Sequence, residues 1–230
     1  LKDTEDVDSA LRAAFLALDA EVSEILLEEA EAEETKSVSI TSGTTACIAL
    51  WKGSELFIAN FGDCRAVISM GGTAEAVTTD HAPEKSAEEA KRLKEMKVTV
   101  DRDGYVGGHL AVSRALGDVC VETKEKVPGV IALPEITKID IDGQTEFLLM
   151  ASDGVWDCLK NQHALAPARR ALRQVLGPEA AAAQVIKAAA AMPMGKADNS
   201  SVQVVVFNMP EPLPKRGQIR QAALPNMRGA

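Results

Sequence analysis

The sequence lacks paired cysteines, long hydrophobic runs and clusters of basic residues, and each absence excludes a class of protein. Its four cysteines form no Cys-x-x-Cys pair, so we predict buried free thiols rather than a zinc site: Cys47, Cys64, Cys120 and Cys158. No apolar run is long enough to span a bilayer, and no signal-peptide pattern opens the chain. We therefore expect a cytoplasmic or nuclear protein that does not bind a membrane.

Negative charge is concentrated at one end of the chain. The net charge is -9 over 230 residues. Residues 1–35 hold twelve acidic residues against Lys2 and Arg12, whereas the remainder is nearly neutral. This charge distribution contains no basic patch of the kind that binds nucleic acid. A solvated helix face is the favoured interpretation of the acidic segment, with a partner surface as the alternative.

Hydrophobic periodicity predicts an α+β protein. Apolar residues recur every three or four positions over 7–34, which is typical of an amphipathic helix. Strands and hairpins are predicted at 46–51 with 55–60, 64–69, 74–77, 98–100 with a turn at 101–104, 136–139, 146–151 and 202–207; further helices are predicted at 83–96, 162–176 and 178–191. Adjacent hairpins indicate antiparallel sheets. We predict one domain over 1–209 and a proline-containing, basic tail over 210–230.

Three acidic residues stand where predicted strands begin or end. Asp80 follows Val77-Thr78-Thr79, Asp153 follows the strand at 146–151, and Asp198 precedes the last strand. A carboxylate at the end of a buried strand is costly unless it is paired, hydrogen-bonded or bound to a metal. Together the three favour a hard cation with oxygen ligands, Mg²⁺ or Mn²⁺. Taken singly, each residue is equally explained as a cap or the start of a turn.

Six ordered segments resemble the signature blocks of the type 2C metal-dependent Ser/Thr protein phosphatases. Their order and spacing both match the family, and the resemblance extends from about residue 7 to Phe207. The blocks are Ser42-Gly43-Thr44-Thr45-Ala46, Ala59-Asn60-Phe61-Gly62-Asp63-Cys64-Arg65-Ala66, Asp80-His81-Ala82-Pro83, Leu110-Ala111-Val112-Ser113-Arg114-Ala115-Leu116-Gly117-Asp118, Ala151-Ser152-Asp153-Gly154-Val155-Trp156-Asp157 and Asp198-Asn199-Ser200-Ser201-Val202.

The resemblance implies a fold and a reaction. The expected fold is a central sandwich of two antiparallel sheets with helices on both outer sides. The expected reaction is hydrolysis of phosphoserine and phosphothreonine in proteins, by a water held between two Mg²⁺ or Mn²⁺ ions. A third, weaker ion is also implied. The expected partner is therefore a phosphoprotein substrate, and we expect a monomer.

The resemblance also assigns roles by position. Asp153 and Asp198 match ligands of the main metal pair, and Asp80 matches a ligand of the third ion, shared with Asp153. Supporting roles in turns and in buried Arg–Asp pairing are implied for six further residues: Asn199, Gly154, Arg114, Asp118, Asp63 and Arg65. The segment 118–131 corresponds to the flap beside the family's site.

One family block is not found in the 230 residues. The family carries Asp-Gly-His-Gly-Gly before its first long helix, with the bridging Asp and the general-acid His, and an upstream Arg that grips phosphate. No catalytic residue can therefore be assigned here, and the three histidines are interpreted as ordinary polar residues: His81, His109 and His163. Two hypotheses stay open: a phosphatase whose N-terminal part is not in this sequence, or a non-catalytic phosphatase-like scaffold. For the chain alone we expect no significant turnover.

Overall fold

Two antiparallel sheets form the centre of the molecule. The computed structural model describes residues 6–32, 39–192, 198–208 and 212. Its helices are α1 Val7–Ala32, α2 Ala87–Glu95, α3 Asp153–Trp156, α4 Asn161–Arg173 and α5 Pro178–Ala190. Its strands are β1 Gly43–Thr44, β2 Ala46–Lys52, β3 Glu55–Phe61, β4 Arg65–Met70, β5 Thr73–Ala76, β6 Leu116–Gly117, β7 Glu135–Asp140, β8 Thr145–Ala151 and β9 Val202–Val206.

The two main sheets pack face to face. One has the order β2-β3-β7 and the other the order β5-β4-β8-β9, with every pair antiparallel. Because side chains alternate along a strand, one face of β3, β4 and β8 supplies the core between the sheets. Its buried members are Leu56, Ile58, Ala66, Ile68, Leu148 and Met150.

Helices cover the outer face of each main sheet. On the β8 side, Phe147 and Leu149 point away from the sandwich and pack with buried residues of α4 and α5, such as Leu165 and Val185. On the β3 side, Phe15 of α1 packs edge-on against Phe61 with ring centroids 4.9 Å apart. The predicted α+β sandwich with helices on both outer sides is therefore confirmed.

Local structure departs from the predictions in three places. The helix predicted from residue 83 begins at Ala87, because the Ser86 hydroxyl caps it by accepting from the Glu89 amide. The hairpin predicted at 98–104 is reduced to isolated bridges such as Val100 with Val106. The short helix α3 was not predicted, since only the alternative of a turn at Asp153 was considered.

Two further observations bear on the sequence predictions. No helix among the described residues is long and apolar enough to cross a membrane. The tail predicted at 210–230 lies outside the described residues, apart from Pro212.

Candidate functional site

Paired strand ends bring Asp153 and Asp198 to the same cleft. Strands β8 and β9 are neighbours, with Ala151 opposite Val202. Beyond this pair, the Ser152 amide donates to the Ser201 carbonyl at 3.1 Å, and the Ser201 amide donates to the Ser152 hydroxyl at 3.0 Å. The chain therefore leaves β8 and enters β9 at one place, and both carboxylates line a cleft of about 790 Å³.

The turn at Asp198 lies directly against the start of α3. A Cβ added to Gly154 would lie 2.5 Å from the Asn199 carbonyl oxygen, which is too close for any side chain. Glycine at 154 is therefore required for this contact. The main chain of Asn199 makes the contact and also donates from its amide to the Asp198 carboxylate at 2.7 Å. Gly154 and the main chain of Asn199 thus lie in contact at the turn that carries Asp198.

Backbone amides orient the two candidate ligands in the same way. The Gly154 amide donates to Asp153 Oδ1 at 2.8 Å, as the Asn199 amide does to Asp198 Oδ1. Burial raises the pKa of Asp153, and the neighbouring carboxylates of Asp198 and Asp157 raise it further. A divalent cation would relieve this repulsion by neutralising several carboxylates at once.

Asp63 and Asp157 are two further acidic residues that line the cleft near Asp153. Asp63 follows β3, and burial and then the charge of Asp153 raise its pKa. Asp157 lies one helical turn after Asp153, with its amide donating to the Asp153 carbonyl at 2.8 Å. The sequence prediction gave Asp63 a structural role and Asp157 none. The i, i+4 spacing from Asp153 was the available signal for Asp157, but it required knowing that α3 exists.

The same cleft also has basic and aromatic lining residues. Lys85 donates to Asp157 at 2.7 Å, and its ammonium lies 3.7 Å from Asp80 Oδ2. Arg102 and Tyr105 line the wall formed by the segment after α2. The cleft thus joins several carboxylates to a few cations, an arrangement able to hold both a metal ion and an anionic group.

Asp80 is buried in a bidentate ion pair with Arg65. Arg65 Nε and Nη2 donate to the two Asp80 oxygens at 2.8 and 2.7 Å. Arg65 also donates to Asn161 at 2.7 Å and lies over the Trp156 ring, 5.2 Å from its centroid. A cation at Asp80 would therefore have to compete with a guanidinium that is fixed by two further neighbours.

The predicted Arg–Asp pairing holds for Arg65 but not for Arg114. Arg114 donates instead from Nε and Nη2 to Glu89 Oε1, and from Nη1 to the Leu133 carbonyl at 3.0 Å. Asp118 lies beside Gly43, where an added Cβ would meet its carboxylate at 2.1 Å. Burial raises the pKa of Asp118 and nearby Lys126 opposes this effect. In the described contacts Arg114 and Asp118 do not pair with each other.

Among the residues that the structure describes, no histidine lines the cleft. His81 is buried, with its Nε2 3.5 Å from Glu135, and its Nδ1 has no hydrogen-bond partner. His109 and His163 are exposed. Nothing in the sequence indicated that His81 is buried, whereas His109 and His163 lie at the surface.

The donor chemistry of the cleft suits a hard divalent cation. Asp153 and Asp198 present carboxylate oxygens, which Mg²⁺ and Mn²⁺ prefer. In the part of the chain that the structure describes, no three His, Cys, Asp or Glu side chains are grouped closely enough to hold a metal ion. The cleft residues therefore fit part of a metal site, which is formed by two carboxylates with further acidic residues nearby.

Comparison with known proteins identifies relatives over nearly the whole chain. A family model described as "Protein phosphatase 2C" matches residues 1–199. "Probable protein phosphatase 2C 47" of Oryza sativa subsp. japonica is 36% identical over 216 residues, covering 94% of this chain and 52% of the relative. "Probable protein phosphatase 2C 27" of Arabidopsis thaliana is 36% identical over 93% of this chain and 52% of its own length.

Solved structures show the same fold at lower identity. Serine-threonine phosphatase 2C from Toxoplasma gondii superposes with a TM-score of 0.71 at 20% identity, over 88% of this chain and 67% of that one. A C. elegans sex determining protein superposes with a TM-score of 0.70 at 23% identity, over 91% of this chain and 49% of that one. The chain spans about half the length of the curated relatives it matches. The family model and these relatives show that the chain belongs to the protein phosphatase 2C family.

Proposed function

We propose that this chain supplies part of the active site for Mg²⁺- or Mn²⁺-dependent hydrolysis of phosphoserine and phosphothreonine in proteins. Membership of the protein phosphatase 2C family supports a metal-dependent protein phosphatase. The observation that carries the proposal is the convergence of Asp153 and Asp198 on one acidic cleft at the joined ends of β8 and β9.

The candidate site residues have separate tasks in this proposal. Asp153 and Asp198 hold divalent cations, and the amides of Gly154 and Asn199 fix the direction of their carboxylates. Bound ions would supply positive charge for the phosphate and an activated water for direct attack on phosphorus. Asp80 is a candidate ligand for a further ion, in competition with Arg65.

A non-catalytic role is the second candidate, and two observations favour it. The 230 residues contain no Asp-Gly-His-Gly-Gly block. Among the residues described, no three potential ligands gather closely enough to hold a metal ion. Without a carboxylate that bridges them, two close divalent ions would repel each other strongly. The chain would then act as a phosphatase-like scaffold or regulator.

Phosphate release from a phosphothreonine peptide separates the two candidates. The complete product of the gene and the 230-residue chain are each assayed with Mn²⁺ and with a chelator. For the complete product we expect Mn²⁺-dependent release that falls by at least about 100-fold in Asp153→Asn. The matched control is Asp140→Asn, which neutralises an exposed aspartate at the far end of β7 and should change little.

Two results would count against parts of this account. Release by the complete product that is no greater than that of Asp153→Asn would contradict catalysis and favour the scaffold. Robust Mn²⁺-dependent turnover by the 230 residues alone would contradict our expectation that this chain is inactive by itself.

A further inference from the structure

A second groove adjoins the acidic cleft. It lies between α2 and the segment 97–104 and has a volume of about 550 Å³. Glu84 and Arg102 line both the groove and the cleft, so the two spaces are neighbours on one surface. If a peptide placed one residue in the cleft, the residues that follow it would lie over this groove.

The groove combines an apolar floor with cations. The floor is formed by four apolar residues that are buried or half-buried: Pro83, Ala90, Val98 and Val100. Lys94, Lys97 and Arg102 supply positive charge, and none of them has an ion-pair partner among the described residues. The protein as a whole has a net charge of -9, so three such cations at one groove make this part of its surface unusually basic.

The acidic residues at the groove leave an excess of positive charge. Glu84 and Asp101 also line it, against the three cations. The Asp101 carboxylate accepts from the amides of Asp103 and Tyr105, both at 2.9 Å, so it is engaged by its own turn. The lysines thus remain available to an external carboxylate.

From this combination we propose that the groove binds the segment of a phosphoprotein substrate that flanks its phosphorylated residue, and that it selects acidic side chains accompanied by apolar ones. The inference rests on the proposed function, because it places the phosphorylated residue in the adjoining cleft. The cleft itself is rich in carboxylates and does not attract an acidic peptide. The two exposed lysines provide that attraction, and the apolar floor accepts the uncharged side chains.

Peptide binding tests the inference without requiring turnover. Fluorescence anisotropy measures binding of the 230-residue chain, at low salt, to a labelled phosphothreonine peptide with Asp and Glu flanks and to the same peptide with Asn and Gln flanks. The double variant Lys94→Glu with Lys97→Glu should weaken binding of the acidic peptide by about tenfold and leave the neutral peptide nearly unchanged.

The matched control reverses the charge of two lysines that lie outside the groove. Lys91 lies on the same helix, is 76% exposed and does not line the groove, and Lys187 is exposed on α5. The control variant, Lys91→Glu with Lys187→Glu, changes the net charge equally and should weaken binding much less. Melting temperatures of both variants check that the fold is retained.

Three results would overturn the inference. They are equal weakening by the two double variants, equal affinity for the acidic and neutral peptides, and no measurable binding by the unaltered chain. Failure of the proposed function is a separate outcome, because it is read from phosphate release by the complete gene product and not from anisotropy.

Discussion

Individual side chains near the cleft are held by buried charge networks. Glu89 of α2 is 2% exposed and accepts from Arg92, Arg114 and Ser113. Arg92 also donates to the Ser113 and Gly129 carbonyls at 3.1 and 3.0 Å. One carboxylate therefore ties α2 to the loops that lead to and from the segment 118–131.

Neutralising Glu89 should destabilise the protein strongly. Glu89→Gln leaves two half-buried guanidiniums without their common buried carboxylate, and we expect a loss of about 3 kcal/mol in the free energy of unfolding. Urea denaturation measures this loss. Glu88→Gln is the matched control, because it neutralises an exposed acid in the same first turn of α2. A loss of similar size in both variants would contradict the account.

The stability contributed by Glu89 should also depend on pH. Burial opposes ionisation, but the hydrogen bonds from Arg114, Arg92 and Ser113 prevail and lower the pKa of Glu89 from 4.5 to about 2. Because the folded pKa lies below the unfolded one, the stabilisation is fully present above pH 4.5 and is lost as the pH falls toward 2. The difference between the unaltered protein and Glu89→Gln should shrink over that window.

At the residue scale, the sequence predicted the candidate metal ligands but not these buried networks. Asp153 and Asp198 were found because each adjoins a strand with a clear apolar pattern. Glu89 was not, since a charged residue beside Glu88 is typical of an exposed helix face, although Glu89 shares a face with the buried Leu93. Glu89, the partner of Arg114, lies 25 residues away in the sequence, and no local pattern predicts such a contact.

At the scale of elements, the site depends on the junction of β8, α3 and β9. Strand β8 is buried at every position and was predicted as a central strand from its nearly continuous apolar run. The four-residue helix α3 was missed, because a single turn has too few residues to show helical periodicity. Without α3, the sequence could not show that Asp157 faces the same cleft as Asp153.

A single methyl group should disturb this junction. In Gly154→Ala the new Cβ would lie 2.5 Å from the Asn199 carbonyl, so the turn carrying Asp198 must move away from α3. We expect a lower melting temperature and weaker Mn²⁺ binding, since the two carboxylates are separated.

Gly143→Ala is the matched control for that change. An added Cβ at Gly143 meets nothing within 4 Å, and this glycine has no positive φ. The control should therefore behave like the unaltered protein. Equal melting temperatures and equal Mn²⁺ affinities for Gly154→Ala and Gly143→Ala would contradict the role of this contact.

At the scale of the whole molecule, the sequence predicted the sandwich better than the site. Alternating apolar strands and amphipathic helices define layers, and the layers appear as expected around Leu148 and Phe147. The groove beside the cleft was not predicted, because it arises from the packing of α2 against the irregular segment 97–104. Family resemblance supplied the pairing of sheets, which periodicity alone left open.

The most direct test is Mn²⁺ binding by the 230-residue chain, measured by titration calorimetry. The account predicts weak binding that falls by about tenfold or more in both Asp153→Asn and Asp198→Asn, and that persists in the control Asp140→Asn. The same Mn²⁺ affinity in all four proteins would contradict the claim that these two aspartates form part of one metal site.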